Sequence, residues 1–263
     1  MLEWAMPKSS KHTAAASKVL TWSSPKEVEF RQQLREYFDE CPIPPNELLT
    51  NLGLFLNRQT LSRILFMHEL YRKIINVHGI VAEFGTRWGQ NLALFSSFRG
   101  MYEPFNHTRK IVGFDTFEGF TRLSSQDRKC ESITEGGYAV SQDYEAYLEG
   151  ILSYHEQESP LSHMRKFQIV KGDVSATVPK YLSENPETII ALAYFDLDLY
   201  EPTRNCLEAI KDYVTRGTVL GFDELNHAAF PGETVAVREV LGTRNYRIER
   251  SPLVPSCCWI VIE

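Results

Sequence analysis

Gly79-Ile80-Val81-Ala82-Glu83-Phe84-Gly85-Thr86-Arg87-Trp88-Gly89 is the stretch that decides the fold. A short β-prone apolar run ends in a carboxylate and a glycine. A second glycine follows four residues on, and QNLALFSSFRG (90–100) then reads as a helix. A strand, a glycine-bracketed turn and a helix open a βα unit. The motif recurs downstream as KIVGFD (110–115), FQIVKGD (167–173), IIALAYFDLD (189–198) and GTVLGFDE (217–224), each ending in an acid. Helical stretches separate most of them: SQDYEAYLEGILSYHE (141–156), SATVPKYLSE (175–184) and EPTRNCLEAIKDYVTR (201–216). Such alternation predicts an α/β fold, a parallel sheet covered by helices. TRNYRIERS (243–251) and CCWIVIE (257–263), with Pro252 and Pro255 between them, read as a terminal antiparallel pair.

Upstream of this unit the pattern is different. Residues 1–24 are rich in Ser, Ala and Lys and are expected to form a flexible arm. Ser24-Pro25 with Glu27 predicts a helix start, because Pro suits the first helical position and Ser the cap. That helix runs through VEFRQQLREYFDE and stops before Pro42; CPIPPNE (41–47) is a turn. A second helix is expected from Asn46 to about Asn76, with Leu61, Ile64, Leu65, Leu70, Ile74 and Ile75 as its apolar stripe and Gly79 as its terminator. Residues 25–78 thus read as a helical cap on a main domain spanning 79–263. The polar segment 121–165, with Gly136, Gly137 and Tyr138, reads as a lid inserted in that domain. The cap is expected to wall an acceptor pocket or to contact a second copy of the chain in a homo-oligomer.

The 263 residues carry a formal charge of −6 and are 43% hydrophobic, which suits one globular α/β domain with an extension. Mild acidity and the lack of a Lys/Arg cluster argue against nucleic acid as partner. No stretch reaches the roughly 18–20 apolar residues of a membrane span, and the N-terminus lacks the apolar core of a signal peptide. The five cysteines, Cys41, Cys130, Cys206, Cys257 and Cys258, form no CxxC pair. They suit a reducing, cytoplasmic setting.

In an open parallel sheet, ligands bind where the strands end. Gly85 and Gly89 let the backbone approach a ligand closely. Their GxxxG spacing has one glycine fewer than the loop that cradles a dinucleotide pyrophosphate. Asp115 ends the second run, where a carboxylate can accept both hydrogen bonds of a ribose diol. Asp173 ends the third, within reach of an adenine amino group. The competing reading of each Asp is a cap on the next helix. Asp196 and Asp198 share one face of the fourth strand, and Asp223 and Glu224 end the fifth. Four carboxylates at one edge repel one another. A bound Mg²⁺ would relieve that repulsion, with Mn²⁺ or Ca²⁺ as substitutes. Alternatively, some of these acids cap helices or pair with Arg204 or Arg238. His227 and Phe230 follow the fifth strand and are placed to reach an acceptor.

VAEFGTRWGQN (81–91), VGFDTFEGF (112–120), KGDVSATVP (171–179), FDLDLYEPT (195–203) and VLGFDE (219–224) together resemble the macrocin O-methyltransferase family. That family comprises sugar and antibiotic methyltransferases, and the resemblance spans roughly residues 50–240. It implies a Rossmann-like class I methyltransferase sheet, S-adenosylmethionine as donor, Mg²⁺ dependence, and a hydroxyl of a sugar or glycosylated natural product as acceptor. It implies donor binding by Glu83, Gly85, Asp115 and Asp173, with Thr86, Gly89, Asn91, Thr116, Phe117 and Val174 beside them. Asp196 and Asp223 match metal ligands, and Asp198 matches a general base. Glu224 stands where the family has a second Asp, one methylene shorter. With Asp196 and Asp198, His227 completes the expected catalytic set. Two other readings compete: a nicotinamide-dependent oxidoreductase, and a non-catalytic domain that binds the donor or its product. The missing glycine, the acid cluster and the lack of a Tyr-x-x-x-Lys relay after the fourth strand count against the first. The crowded acids count against the second.

Overall fold

The computed structural model of the protein describes residues 23–128 and 133–263. Almost all of the expected N-terminal arm, Cys130 and a short part of the expected lid lie outside them. Seven strands form one sheet in the order β3-β2-β1-β4-β5-β7-β6. The parallel set is β1 (Ile80–Phe84), β2 (Ile111–Asp115), β3 (Phe167–Lys171), β4 (Ile190–Phe195) and β5 (Val214–Phe222). β7 (Cys258–Val261) runs antiparallel to β5 and to β6 (Glu249–Arg250). The expected α/β class and terminal antiparallel pair are both present. β1 and β4 are buried along their whole length, as continuous apolar runs in a two-sided sheet require.

The helices are α1 (Pro25–Asp39), α2 (Pro45–Leu48), a 3₁₀ turn (Leu49–Phe55), α3 (Arg58–Ile74), α4 (Gln90–Tyr102), α5 (Tyr144–Gln157), α6 (Val174–Glu184), α7 (Tyr200–Ile210) and α8 (Pro231–Val240). α1 starts as its sequence predicts. The Ser24 side chain accepts from Glu27 N, and the Glu27 carboxylate accepts from Ser24 N, a closed capping box.

Four local expectations are corrected. The helix expected over 46–76 is broken: Leu56 is extended, and Asn57 caps a fresh helix by accepting from Thr60 N at 2.8 Å. The buried stripe of α3 is Phe66, Met67, Leu70, Tyr71 and Ile74, while Leu61 and Leu65 are exposed. The apolar positions alone fit two stripes, and contact with the sheet selects this one. α7 ends at Ile210, and Val214-Thr215-Arg216 belongs to β5, where β-branched residues favour extended backbone. Gly79 lies five residues past the end of α3. Its φ of +132° carries the chain into β1, where a Cβ would lie 2.5 Å from the Ile189 carbonyl oxygen.

Two apolar layers sandwich the sheet. One gathers α6, α7 and α8 around Phe84, Phe195 and Phe222; the other gathers α3, α4 and α5 around Val81, Leu192 and Tyr194. Among the described residues no helix is long and apolar enough to cross a membrane.

A buried guanidinium holds α3 onto the second layer. Arg109 donates from Nη2 to the carbonyls of Ile74 (2.9 Å) and Val77 (2.8 Å), and from Nε to Glu103 Oε2 (3.0 Å). Tyr71 donates to the same Glu103 at 2.7 Å. Arg109 therefore binds the carbonyls where α3 ends, sharing the Ile74 carbonyl with Val77 N. Removing one partner of a buried ion pair leaves the other charge uncompensated, at about 3–5 kcal/mol. Arg109→Met should lower unfolding stability by about that much in urea melts. The double variant Arg109→Met/Glu103→Leu should recover part of the loss. A single-variant loss below about 1 kcal/mol would remove Arg109 from this role.

Candidate functional site

The order β2-β1-β4 makes β1 the point where successive crossovers diverge, and the crevice beyond its carboxyl end is where such sheets bind ligands. Gly85 sits at that point with φ +92°. A Cβ there would lie 1.9 Å from the Asp196 carbonyl oxygen, so no other residue fits without moving β4. The turn after β1 then wraps the end of β2. Asp115 Oδ2 accepts from Arg87 N at 2.7 Å, and Oδ1 accepts from Phe117 N at 2.6 Å. Burial raises the Asp115 pKa, and those backbone hydrogen bonds oppose the rise. The carboxylate is thereby fixed, and each oxygen keeps a lone pair for a diol. Asp173 caps α6 by accepting from Ser175 N at 2.8 Å, and it also faces the crevice. Here the capping reading is realised by a residue that also lines the cavity.

The crevice is a cavity of about 480 Å³, within the range of small-molecule sites. Of the expected donor residues, Gly85, Asp115, Thr116, Asp173 and Val174 line it. Glu83, Thr86, Gly89, Asn91 and Phe117 do not. Glu83 and Asn91 lie behind Gly85, joined at 2.7 Å. Burial holds the Glu83 carboxyl well above the usual carboxylate range. Gly89 starts α4 with φ +75° against the Leu148 side chain, and Phe117 is buried in the α3–α5 layer. Glu83 Oε2, Thr86 Oγ1 and Asn91 Oδ1 are buried without a hydrogen-bond partner. The fixed Asp115 carboxylate at the cavity edge fits a ligand carrying a ribose, as S-adenosylmethionine does.

The other half of the cavity holds Asp196, Asp198, Asp223, Glu224 and His227. The expected acids converge, but the cation among them is Arg63 from α3. Its Nη2 donates to Asp196 Oδ2 at 2.7 Å and its Nη1 to Asp223 Oδ1. Arg204, one of the two partners expected from sequence, pairs with Glu239. Asp223 Oδ1 also accepts from Tyr194 Oη and, at 3.1 Å, from Cys257 Sγ. Glu224 does not join them; its Oε2 lies 3.4 Å from His227 Nδ1. Among the described residues no group of three or more His, Cys, Asp or Glu side chains is arranged to hold a metal ion. The expected Mg²⁺ ligands therefore do not fit a divalent ion as they stand, because a guanidinium fills the gap between them.

Desolvation dominates the remaining electrostatics. Burial, then the charge on Asp223, pushes Asp196 up to about 7 despite Arg63. Burial and the same neighbours push Glu224 up to about 10. Asp198, 8% exposed and with φ +62°, is held well above the usual carboxylate range by burial, Asp196 and Asp223. A carboxylate raised in this way is a stronger base when ionised.

The segment after β2 covers the cavity. Phe120 N donates to Gly137 O at 3.0 Å, and Gly136 N to Phe120 O at 2.8 Å. The Phe120 and Tyr138 rings meet at 5.2 Å, and the Arg87 guanidinium lies over Tyr138 at 4.8 Å. Asp127 anchors the segment: Oδ2 accepts from Ser124, and Oδ1 from Tyr200 N at 2.8 Å, at the first turn of α7. Sequence reading placed Gly136, Gly137 and Tyr138 here but missed Asp127 and Arg63. Arg63 left a trace: it precedes Phe66, Met67 and Leu70 by three, four and seven residues, so it lies on the buried face of α3. Asp127 left none. Beyond His227 and Ser256 a second cavity of about 740 Å³ opens, with Leu225, Val237 and Ile248 on its wall.

No protein-family model and no curated protein matches the chain. Solved structures do. The calicheamicin methyltransferase CalS11 is 45% identical, with a TM-score of 0.89, over 92% of this chain and 94% of that one. A second structure of CalS11, an apo form described as a TDP-rhamnose 3′-O-methyltransferase, is 42% identical over 92% and 96%, at 0.81. This chain belongs to the sugar O-methyltransferase family. It is an S-adenosylmethionine-dependent O-methyltransferase with the class I sheet. The O-methyltransferase NovP, 17% identical over 76% and 79% with a TM-score of 0.57, shares the fold.

In this methyltransferase the tie from Asp127 to α7 can be tested alone. Loss of a helix-capping carboxylate costs about 0.5–2 kcal/mol. Asp127→Ala should lower Tm by about 1–8 °C for a chain of this size. An unchanged Tm would show that the first turn of α7 is satisfied without the covering segment.

Proposed function

We propose that the enzyme methylates a hydroxyl of a deoxysugar carried on a nucleoside diphosphate. The observation that carries this reading is the buried Asp198 carboxylate facing the cavity across from the donor half, in a chain 45% identical to CalS11. The second cavity, which shares His227 and Ser256 with the first, gives the rest of the acceptor a place beyond the sugar. A reducing compartment such as the cytoplasm belongs to the same reading, supported by Cys206, Cys257 and Cys258 as buried free thiols. So does a homo-oligomer, supported by α1, which buries none of its residues and exposes Phe30 and Phe38.

S-adenosylmethionine supplies an electrophilic methyl group on a sulfonium. Asp115 orients the ribose, and the bare backbone at Gly85 lets the donor lie against the sheet edge. The acceptor hydroxyl enters between Asp198 and His227. Asp198 takes its proton, since a hydroxyl is a weak nucleophile until deprotonated. Asp196 is unsuited to that task because Arg63 already holds it. The segment carrying Phe120 and Tyr138 keeps water from competing with the sugar. Mg²⁺, expected from the acid cluster, enters no step of this mechanism.

Incubation with TDP-rhamnose and S-adenosylmethionine, read by mass spectrometry, tests the acceptor. A mono-methylated nucleotide sugar is expected; turnover of finished glycosides alone would displace the nucleotide carrier. Asp198→Asn should cut turnover about 10²–10⁴-fold with the Kd for S-adenosylhomocysteine unchanged. Near-normal turnover would move the base elsewhere. Asp115→Ala should weaken S-adenosylhomocysteine binding by about 1–3 kcal/mol by calorimetry, and unaltered affinity would take Asp115 out of the donor site.

A further inference from the structure

Arg63 is the feature of the site that neither the methyl-transfer reading nor the acid cluster explains. It comes from the cap helix, not from a strand end, yet its guanidinium lies between Asp196 just past β4 and Asp223 just past β5. We propose that Arg63 is the resident cation of this carboxylate pair and that it keeps divalent ions out of it.

The geometry argues this in three steps. The planar guanidinium presents one nitrogen to each acid, which a compact ammonium cannot do. A Mg²⁺ ion bound to the same two oxygens needs oxygen distances of about 2.0–2.1 Å and would have to occupy the space of the guanidinium itself. Asp223 Oδ1 is also spent, since it accepts from Arg63, Tyr194 and Cys257 together. Finally, Arg63 has little freedom to leave. Its guanidinium lies 5.7 Å from the centre of the Tyr194 ring, and the far end of α3 is pinned by Arg109 through the Ile74 and Val77 carbonyls. An entering ion must therefore unmake two charge-assisted bonds and turn a long side chain out of a packed interface.

The inference concerns the cation alone and holds whatever the acceptor is. Mn²⁺ is the probe, followed in the full-length enzyme by electron paramagnetic resonance of the free ion. The wild type is expected to take up no Mn²⁺ below millimolar concentrations. Arg63→Gln should bind it at least tenfold more tightly, and Arg63→Gln/Asp196→Asn should lose that gain. Arg63→Lys keeps the charge without the fork and guards against misfolding of the Gln variant. It should also bind Mn²⁺ more tightly than the wild type. Micromolar binding by the wild type would overturn the proposal. So would Arg63 variants that bind no better than the wild type, or a gain that survives Asp196→Asn.

Discussion

The ion pair of Arg63 with Asp196 and Asp223 is the contact on which the rest of the molecule depends. It joins three elements remote in sequence: the cap helix, the end of β4 and the end of β5. Without a cation there, two carboxylates would face each other in a partly buried crevice, and like charges cost more there than in open water. Supplying that cation from α3 also places the cap. Arg63 fixes the start of the helix at the site, and Arg109 fixes its end by satisfying the last carbonyls. Between the two, Phe66, Met67, Leu70 and Tyr71 fill the layer above the sheet. The apolar face supplies the adhesion, and the two guanidiniums set the register.

The same arrangement explains why the site stays polar at some cost to stability. One guanidinium does not offset Asp196, Asp198, Asp223 and Glu224 together. Burial raises Asp196 and Glu224 markedly even with Arg63 in place. Asp198 and Glu224 are the acids that Arg63 does not hold, and Asp198 adopts a left-handed backbone conformation. Aspartate tolerates that conformation better than most residues. Strain and desolvation meet at the residue assigned the proton, as expected where a fold gives up stability for chemistry.

Much of this was legible in the sequence, for an identifiable reason. The β1-to-β3 half of the site is built from strand ends and tight turns, whose residue types are dictated locally. Gly85 must lack a side chain, and Asp115 must end its strand. The five apolar runs with terminal acids therefore placed the sheet, the cavity and the acids that line it. What escaped was set by tertiary contacts. The break in the expected 46–76 helix depends on Asn57 as a cap, and an asparagine inside an amphipathic stretch is no sure stop. The exposed Leu61 and Leu65 show that an apolar position can belong to a helix without belonging to its buried face. The acids at 196, 198, 223 and 224 were readable, and so was their need for a counter-charge. A residue more than 130 positions upstream answers that need, and no local pattern carries such a separation.

The division of the cavity follows from the topology. Strands β1, β2 and β3 lie on one side of the switch point, and their turns present the bare backbone of Gly85 and the fixed carboxylate of Asp115 to the cavity. Strands β4 and β5 lie on the other side, and their ends are roofed by elements from elsewhere: α3, the segment around Tyr138, and the loop holding His227. The first half has few ways to vary without losing the sheet, since a Cβ at Gly85 would strike β4 itself. The second half rests on side chains reaching in from surface segments, which can change while the strands stay. In the function proposed above, donor identity is therefore built into the frame, whereas acceptor choice resides in the roof. Arg63 belongs to that roof, so the charge state of the reacting half is controlled by a part of the chain that the sheet does not dictate.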